Sequence, residues 1–275
     1  MNIGCHVSIA GGIQNAPKNG AEVGCEVIQI FTRSPQGGKA PELTPAAVKE
    51  FKTQKSNFKI KEVYIHAPYY INFASANNRI RYGSSSAIRS ELERGNLIGA
   101  KYVMTHIGTA KELGHKESIK KTVEMLKKTL ENYNGKTLLL LENSAGAGEI
   151  IGDSLKELAE IIKKVNSPSI VGICLDTQHS FASGYDWRNF EKTLERVDKE
   201  IGIENIKLIH ANDSQADCGS NRDRHEHIGQ GKIGSEAFQK VVSFAQKNKI
   251  DMICETEAPG NKKDIETLKR FRDKK

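Results

Sequence analysis

The chain has 275 residues and a formal net charge of +7, from 41 Lys and Arg residues against 34 Asp and Glu residues. Its length suits one large α/β barrel, and its apolar runs fall short of the roughly 18–20 residues that span a bilayer, which excludes a membrane-spanning protein. Five cysteines without Cys-x-x-Cys spacing, and a first segment typical of a strand and not of a signal peptide, indicate reduced thiols and a cytoplasmic protein. The positive charge suits a polyanionic partner such as nucleic acid.

Short apolar runs alternate with amphipathic segments along the whole chain, without a linker or a low-complexity tract. Eight strand–helix units in strict alternation predict one (β/α)₈ TIM barrel domain over residues 1–275, and their number disfavours a doubly wound open sheet. The predicted strands span residues 3–7, 27–31, 62–66, 102–106, 137–142, 171–176, 206–212 and 252–257. The predicted helices span residues 13–23, 45–55, 84–98, 116–133, 154–165, 187–201, 234–247 and 263–272.

The predicted strands carry a repeated kind of side chain at their ends. An acid or an imidazole at the end of one buried strand is most simply a capping or hydrogen-bonded residue, but here six consecutive strands carry one. In a barrel these ends converge on the face where active sites form. Carboxylate oxygen and imidazole nitrogen together suit zinc and similar ions, whereas either group is costly to bury alone. The predicted metal cluster contains His66, His106, Glu142, Asp176, His179, His210 and Glu255.

A long polar loop, residues 213–234, follows the seventh predicted strand. Glycine-rich loops of this length are uncommon in compact domains unless they have a function. Asp223 and His225 are spaced to lie on one side of an extended segment, and with His179 they could form a separate metal site. That makes nine candidate ligands, which are enough for three ions if one of the two glutamates bridges two ions through its two oxygens.

Five motifs in the chain, four of which contain candidate ligands, resemble the motifs of a known family. They are Gly4-Cys5-His6-Val7-Ser8, Glu142-Asn143-Ser144-Ala145-Gly146, Asp176-Thr177-Gln178-His179, His210-Ala211-Asn212-Asp213-Ser214 and Asp223-Arg224-His225-Glu226-His227-Ile228-Gly229. The family is endonuclease IV, the apurinic/apyrimidinic (AP) endonucleases with a trinuclear metal site. The similarity runs from residue 3 to about residue 257, and the segment 219–225, Gly-Ser-x-x-Asp-Arg-His, is its most specific part.

The resemblance implies an endonuclease that hydrolyses the phosphodiester 5′ to an abasic site in double-stranded DNA and leaves a 3′-hydroxyl and a 5′-deoxyribose phosphate. It implies three Zn²⁺ ions per chain, with Mn²⁺ as an alternative in one or more sites, and a monomeric enzyme. Glu142 and Glu255 are the expected catalytic residues, which hold the attacking water. The implied ligand sets are His66, His106 and Glu142; Glu142, Asp176, His210 and Glu255; and His179, Asp223 and His225.

Residues outside the metal cluster are predicted to contact DNA. Arg33, Arg222 and Arg224 lie near strand ends, where a guanidinium can contact phosphates. Tyr69 could stack against a base or a sugar, or it could pack against the barrel. His6 matches the first-strand histidine of the family, and it either contacts nucleic acid or has a structural role.

The chain departs from the family pattern at several positions. The loop at residues 33–39 lacks the Arg and Trp that are frequent in relatives and presents Gln36, a further predicted DNA contact. Gln178 stands where Cys is common, Gln230 stands where Glu is common, and His106-Ile107-Gly108-Thr109 replaces the more usual His-Pro-Gly-Ser. None of these changes removes a candidate ligand, so we expect activity to be retained.

A metal-dependent sugar isomerase or epimerase with a TIM barrel is the alternative interpretation. Such enzymes also place Glu, Asp and His at the strand ends of the barrel, so the strand-end ligands alone do not exclude it. They generally use fewer metals, and they have no need of Asp223, Arg224 and His225 or of excess positive charge. The endonuclease is therefore the favoured interpretation.

Overall fold

Residues 1–274 are described by the structure, a computed structural model. Eight strands form a closed barrel of parallel neighbours, which closes where the first strand pairs with the last. Helices connect successive barrel strands, and the predicted TIM barrel is therefore confirmed. The barrel strands are β1 (Ile3–His6), β2 (Val27–Ile30), β3 (Val63–His66), β4 (Tyr102–Thr105), β5 (Leu138–Glu142), β6 (Ile170–Asp176), β7 (Ile206–His210) and β10 (Asp251–Cys254).

The helices surround the barrel, and at least two of them begin with a side-chain cap. The Thr44 hydroxyl accepts a hydrogen bond from the N–H of Ala47, and the Ser154 hydroxyl accepts one from the N–H of Glu157, which satisfies amides that a helix start leaves free. No helix within residues 1–274 is long and apolar enough to cross a membrane. The helices are α1 (Ala16–Glu22), α2 (Pro45–Asn57), α3 (Asn78–Ile98), α4 (His115–Leu130), α5 (Leu155–Val165), α6 (Thr177–Ala182), α7 (Phe190–Ile201), α8 (Gly234–Asn248) and α9 (Asn261–Asp273), with 3₁₀ segments at Ile13–Asn15, Trp187–Asn189 and Ile203–Asn205.

Several boundaries differ from the prediction. The fourth and last barrel strands end at Thr105 and Cys254, so His106 and Glu255 follow the paired backbone instead of lying inside it. The seventh strand likewise ends at residue 210, not at residue 212. Helix α3 begins six residues earlier than predicted because the Asn77 side chain accepts a hydrogen bond from the backbone N–H of Arg79 and caps the helix there. Short helix α6 and a hairpin of β8 (Asp213–Ser214) and β9 (His225–Glu226) were not predicted.

The barrel interior explains why the metal-binding side chains recur at the strand ends. Side chains alternate between the two faces of a strand, so the residue two positions after an inward one also points inward. A buried apolar layer fills the barrel and consists of Val27, Tyr64, Met104, Leu140, Cys174, Leu208 and Ile253. Two residues further along the same strands lie Gln29, His66, His106, Glu142, Asp176, His210 and Glu255. The layer of polar side chains therefore lies directly above a buried apolar layer.

Candidate metal centre

The first group of candidate ligands surrounds a buried carboxylate oxygen. Glu142 is fully buried, and its Oε2 lies 3.2 Å from His66 Nε2 and 3.5 Å from His106 Nε2. Within residues 1–274 this oxygen has no hydrogen-bond partner, although buried polar atoms normally have one. A cation between the three atoms would satisfy the oxygen, so these residues fit one metal ion.

The other ring nitrogens of these two histidines are held by the surrounding protein. His66 Nδ1 lies 2.6 Å from Ala67 O. Because a carbonyl oxygen only accepts, Nδ1 carries the proton and Nε2 directs its lone pair toward Glu142. His106 Nδ1 lies 3.3 Å from the Ser144 hydroxyl. Both imidazoles are therefore oriented to bind a metal through Nε2.

The second group lies around His210, at the end of β7. Its Nε2 donates to Gln29 Oε1 at 2.7 Å, so Nδ1 faces the carboxylates with its lone pair. Nδ1 lies 2.7 Å from Glu142 Oε1, 3.1 Å from Glu255 Oε2 and 3.9 Å from Asp176 Oδ2. Glu142 directs Oε2 to the first group and Oε1 to the second, which is the arrangement of a carboxylate that bridges two ions.

The third group combines α6 with the loop after β7. His179 Nε2 and His225 Nε2 lie 3.3 Å apart, and each is 3.4 Å from Asp223 Oδ1. Three ligands of a tetrahedral zinc ion, each about 2.0–2.1 Å from the metal, are separated by about 3.3 Å. His179 Nδ1 lies 3.0 Å from Asn143 O, which leaves Nε2 as the ligand atom. The three residues therefore fit one zinc-type ion.

Two buried amides that the sequence analysis missed hold the carboxylates in place. The Gln29 side-chain amide donates to Glu255 Oε1 at 2.6 Å and presents its oxygen to His210. The Asn212 amide donates to Asp176 Oδ2 at 2.6 Å and to Glu255 Oε2 at 3.3 Å, and its oxygen accepts from the Glu255 N–H. Gln29 occupies the same inward layer as the strand-end ligands, and this alternation was the signal in the sequence that could have found it.

Gln178, one of the departures from the family pattern, ties the ligand-bearing loop to the barrel. Its side-chain amide donates to Arg222 O at 2.9 Å and to the Ser214 hydroxyl at 3.3 Å. Arg222 directly precedes Asp223 in the chain. The longer amide side chain therefore positions the segment that carries two of the third group's residues.

The centre strongly favours positive charge. Burial alone would raise the pKa of Glu142, but the nearby imidazoles of His210 and His106 hold that pKa well below its usual range. Burial lowers the pKa of His179, yet the carboxylates of Asp176 and Asp223 outweigh burial and raise it to about 10. The carboxylates thus stabilise cationic charge at the imidazole nitrogens, and a divalent metal ion satisfies the same preference.

The predicted DNA contacts on the first two strands lie in different surroundings. His6 is half-buried beside Phe31, with Nδ1 3.1 Å from the Gln29 amide nitrogen. Burial lowers the pKa of His6 to about 4, so its ring is neutral, which favours the structural role. Arg33 is not free for phosphate: its guanidinium pairs with the fully buried Glu91 and donates to Ser90, and its side chain is 10% exposed. These contacts disfavour the predicted phosphate contact of Arg33, which stays a prediction.

The other four predicted contacts lie at the protein surface around the centre. Tyr69 is 66% exposed, and its ring meets the edges of the Phe31 and His66 rings at centroid distances of 5.3 and 5.9 Å. Gln36 is exposed in the loop after β2. Arg222 and Arg224 are exposed on either side of Asp223. The structure therefore leaves these four side chains accessible to a substrate at the metal centre.

A closed parallel barrel with metal-binding groups at its carboxyl end defines a TIM barrel of the xylose isomerase-like class, and the family model with the description "Xylose isomerase-like TIM barrel" matches residues 17–274. The chain is 36% identical over 277 residues to a probable endonuclease 4 of Cenarchaeum symbiosum (strain A), and 37% identical over 278 residues to that of Nitrosopumilus maritimus (strain SCM1), with 99% of both chains covered in each case. The chain therefore belongs to the endonuclease IV family. This confirms the resemblance found in the motifs.

Solved structures agree with the assignment at the level of the fold. Endonuclease IV from Thermus thermophilus superposes with a TM-score of 0.87 at 28% identity and covers 98% of both chains. A D-tagatose 3-epimerase-like protein superposes with a TM-score of 0.77 at 24% identity and covers 98% of this chain and 97% of its own. The second likeness reflects the shared barrel alone, which is why fold by itself did not separate nuclease from epimerase.

Proposed function

We propose that this protein is a DNA repair endonuclease that hydrolyses the phosphodiester 5′ to an abasic site in double-stranded DNA. The products are a 3′-hydroxyl and a 5′-deoxyribose phosphate. The observation that carries the proposal is the arrangement of nine candidate ligands into three groups, in a chain that matches endonuclease 4 relatives over its full length. All nine lie in one chain, which supports a monomeric enzyme.

The three groups would hold three zinc ions, with Mn²⁺ as an alternative in one or more sites. Bound ions of this kind lower the pKa of water toward neutrality and neutralise the oxygens of a phosphate. His66, His106 and Glu142 would hold the first ion, and Glu142 would also reach the second together with Asp176, His210 and Glu255. His179, Asp223 and His225 would hold the third.

Glu142 and Glu255 are the proposed catalytic residues because their carboxylates meet at His210. Glu142 Oε1 and Glu255 Oε2 lie 2.7 and 3.1 Å from the same Nδ1 atom. Carboxylate oxygens accept hydrogen bonds, so the pair can hold and orient a nucleophilic water toward a phosphate. Gln29 and Asn212 keep Glu255 in that orientation through three hydrogen bonds.

The candidate ligands are recessed, so a nucleotide has to leave the duplex before its phosphate can reach them. An abasic nucleotide suits this centre because it leaves the duplex more easily. Extrusion of a nucleotide from a duplex costs unstacking and unpairing energy, and a missing base lowers that cost. Tyr69 stands exposed beside His66, where an aromatic ring can stack on the distorted strand. A DNA substrate also supports the expected cytoplasmic location, with the chromosome as target.

The proposal is tested with a duplex oligonucleotide that carries one abasic analogue and a label at either end. We expect cleavage on the 5′ side of the lesion, with a 3′-hydroxyl that a polymerase can extend. Glu255→Gln should lower the rate at least about 100-fold while the fold is retained. Cleavage on the 3′ side, or an aldehyde-derived end without a 3′-hydroxyl, would contradict the proposed chemistry.

The sugar isomerase or epimerase alternative is tested on the same preparation. The third group, with Asp223 and His225, has no role in such a reaction, whereas a phosphodiester, whose two non-bridging oxygens share a negative charge, can use it. Activity toward ketose substrates without nicking of abasic DNA would favour the alternative.

A further inference from the structure

A groove of about 720 Å³ lies between the loop after β2, residues 33–40, and the first half of α3. Tyr70 forms part of its lining and directly follows Tyr69, whose ring contacts that of His66. The groove therefore lies next to Tyr69, which contacts a candidate metal ligand. None of the nine candidate ligands lines it, so the chemistry proposed above does not account for it.

The groove is positively charged. Arg33, Lys39 and Arg79 line it, and none of the lining residues that the structure describes is acidic. The Arg33 charge is neutralised by Glu91. Lys39 and Arg79 are exposed, and among residues 1–274 neither has a carboxylate within 4 Å of its charged group. Two free cations therefore face the opening.

Two residues that line the groove, Arg79 and Gly83, are unfavourable for the stability of helix α3, in which they lie. Arg79 lies in the first turn of α3, which contains no acidic residue, and the helix dipole makes a cation unfavourable there. Gly83 lies inside the helix, where glycine is a poor helix former. A Cβ atom at Gly83 would meet nothing within 4 Å, so packing does not require a glycine. Residues that weaken an element without a packing reason commonly serve a ligand.

The walls of the groove are held in place by buried contacts. Arg94, which is buried on α3, donates to Thr32 O at 2.7 Å and to Pro41 O at 2.8 Å, and the Arg33–Glu91 pair joins the same loop to the helix. The backbone N–H of Tyr69 donates to Pro35 O at 3.0 Å. The loop is thus attached at both ends and in its middle, and the groove is formed before a ligand arrives.

We propose that this groove binds the sugar–phosphate backbone of the duplex that flanks the abasic site, an inference that rests on the proposed function. Lys39 and Arg79 contact phosphates, and Gly83 leaves the helix surface low enough for the backbone to approach it. A DNA strand fits because it carries one negative charge per phosphate and extends beyond the metal centre. Phosphate contacts of this kind set the register of the duplex without reading sequence.

The first test removes the two charges with Lys39→Ala/Arg79→Ala and measures binding to an abasic-analogue duplex at several salt concentrations. Two lost phosphate contacts should reduce the slope of log K against log salt by about two, and the loss in steady-state kinetics should fall on KM. Removal of the Arg79 charge should not weaken α3, because a cation in the first turn of a helix interacts unfavourably with the helix dipole. Lys127→Ala, which removes an exposed charge on α4, is the matched control and should leave the slope unchanged.

The second test fills the groove without altering charge. Gly83→Leu should weaken duplex binding about tenfold with an unchanged salt slope, since leucine favours helix more than glycine does and its side chain would occupy the strand's position. Gly83→Ala, which adds one methyl group to open space, is the control. An abasic trinucleotide, which is too short to leave the metal centre, should be affected less than the duplex by each variant.

The outcomes separate this inference from the proposed function. If wild-type protein cleaves abasic duplex but the double variant keeps the wild-type slope, or Gly83→Leu binds normally, the groove does not hold DNA. Equal losses on the duplex and the trinucleotide would overturn it as well, because they would indicate a disturbed metal centre. If wild-type protein cleaves neither substrate, the proposed function itself fails.

Discussion

Glu142 is the residue that joins two of the three groups of candidate ligands. Its two oxygens face two different groups of candidate ligands, at 2.7 Å from His210 and 3.2 Å from His66. It is fully buried, and a buried carboxylate is tolerated only where positive charge compensates it. At the scale of single residues, nearby imidazoles, and metal ions if they bind as proposed, supply the positive charge that keeps Glu142 ionised.

The first prediction concerns metal content. Wild-type protein should carry about three zinc-type ions per chain by elemental analysis, since three ligand groups are present. Asp223→Ala should lose about one ion and most activity, because the third group would lose one of its candidate ligands. Circular dichroism should show an unchanged fold. Asp217→Ala, the same substitution at an exposed site in the same loop, should keep all ions, and two ions in wild type that persist in Asp223→Ala would favour the isomerase alternative.

The second prediction concerns Tyr69 as a stacking residue. Stacking of a base on an aromatic ring contributes about 1–3 kcal/mol, so Tyr69→Ala should weaken binding to abasic duplex by about one to two orders of magnitude. Binding to a single-stranded abasic oligonucleotide should suffer less, because no duplex has to be opened. In the Tyr69→Ala background, Gln36→Arg should partly restore duplex binding, since it places a long cationic side chain in the loop after β2.

Tyr82→Ala is the control for the stacking prediction, because Tyr82 is an exposed tyrosine of α3 that contacts Arg81 and Lys128 instead of the metal centre. It should bind abasic duplex normally. Equal losses of Tyr69→Ala on duplex and single-stranded DNA would show that Tyr69 packs against the barrel and does not help to open the duplex.

At the scale of elements, buried charges connect the loop after β2 to helix α3. Glu91 is fully buried and accepts from Arg33 and from the Thr32 hydroxyl. Removal of one partner from a buried charge network leaves the other charges uncompensated, at a cost of about 3–5 kcal/mol. We therefore predict that Glu91→Ala lowers the free energy of unfolding by about that amount in urea titrations.

Glu93→Ala is the matched control for this prediction, one half-turn further along α3. Glu93 is 59% exposed and pairs with Arg89 on the same helix, and exposed pairs contribute about 0–1 kcal/mol. Similar changes in the two variants would show that burial of the Glu91 network adds nothing to stability.

A second ionic contact joins the last helix to the first two strands. Glu26 Oε2 accepts from the N–H of Ile3 at 2.9 Å and from Arg272 at 2.6 Å. Burial alone would raise the pKa of Glu26, but these two donors outweigh burial and lower it below its usual value of 4.5. A carboxyl whose pKa is lowered in the folded state stabilises that state above the unfolded-state pKa, and the contribution disappears as pH falls through the folded-state pKa.

Glu26→Gln should therefore destabilise the protein by about 1–2 kcal/mol at neutral pH, where charge-assisted hydrogen bonds are lost at a partly exposed site. The difference from wild type should shrink as pH falls from about 4.5 downward, as followed by thermal unfolding across pH. Glu22→Gln is the control at an exposed i,i+4 pair and should change stability little. A difference that is independent of pH would mean that the ionised carboxylate is not what stabilises α9 on the barrel.

At the scale of the whole molecule, closure of the barrel brings residues 66 to 255 to one centre and surrounds it with exposed cations. The net charge of +7 favours association with DNA, whose binding releases counterions. We predict that affinity for abasic duplex falls steeply with salt, and that Arg222→Ala and Arg224→Ala each reduce the slope by about one. Lys192→Ala, on the outer helix α7, should leave the salt slope unchanged. A flat salt response of the wild-type protein would show that its positive charge does not contribute to substrate binding.

The barrel and the candidate ligands could be read from the sequence because both depend on local patterns. A strand buried on both faces appears as a short apolar run, and a ligand appears as the polar residue that ends it, as at His66 and Asp176. The prediction failed where a boundary depends on one cap, as at Asn77, and where pairing involves two residues, as in the hairpin of β8 and β9. Such features lack a periodic signal.

The sequence by itself determined the TIM barrel, its family and the identity of the nine candidate ligands, because strand alternation and motif spacing are properties of neighbouring residues. Only the tertiary structure decided that Arg33 pairs with Glu91, 58 positions further along the chain, instead of facing solvent. Only the tertiary structure shows that Gln29 donates to Glu255 and that a charged groove lies beside α3. These contacts join distant segments, and their partners are selected by three-dimensional packing and by the cost of burying unpaired charge.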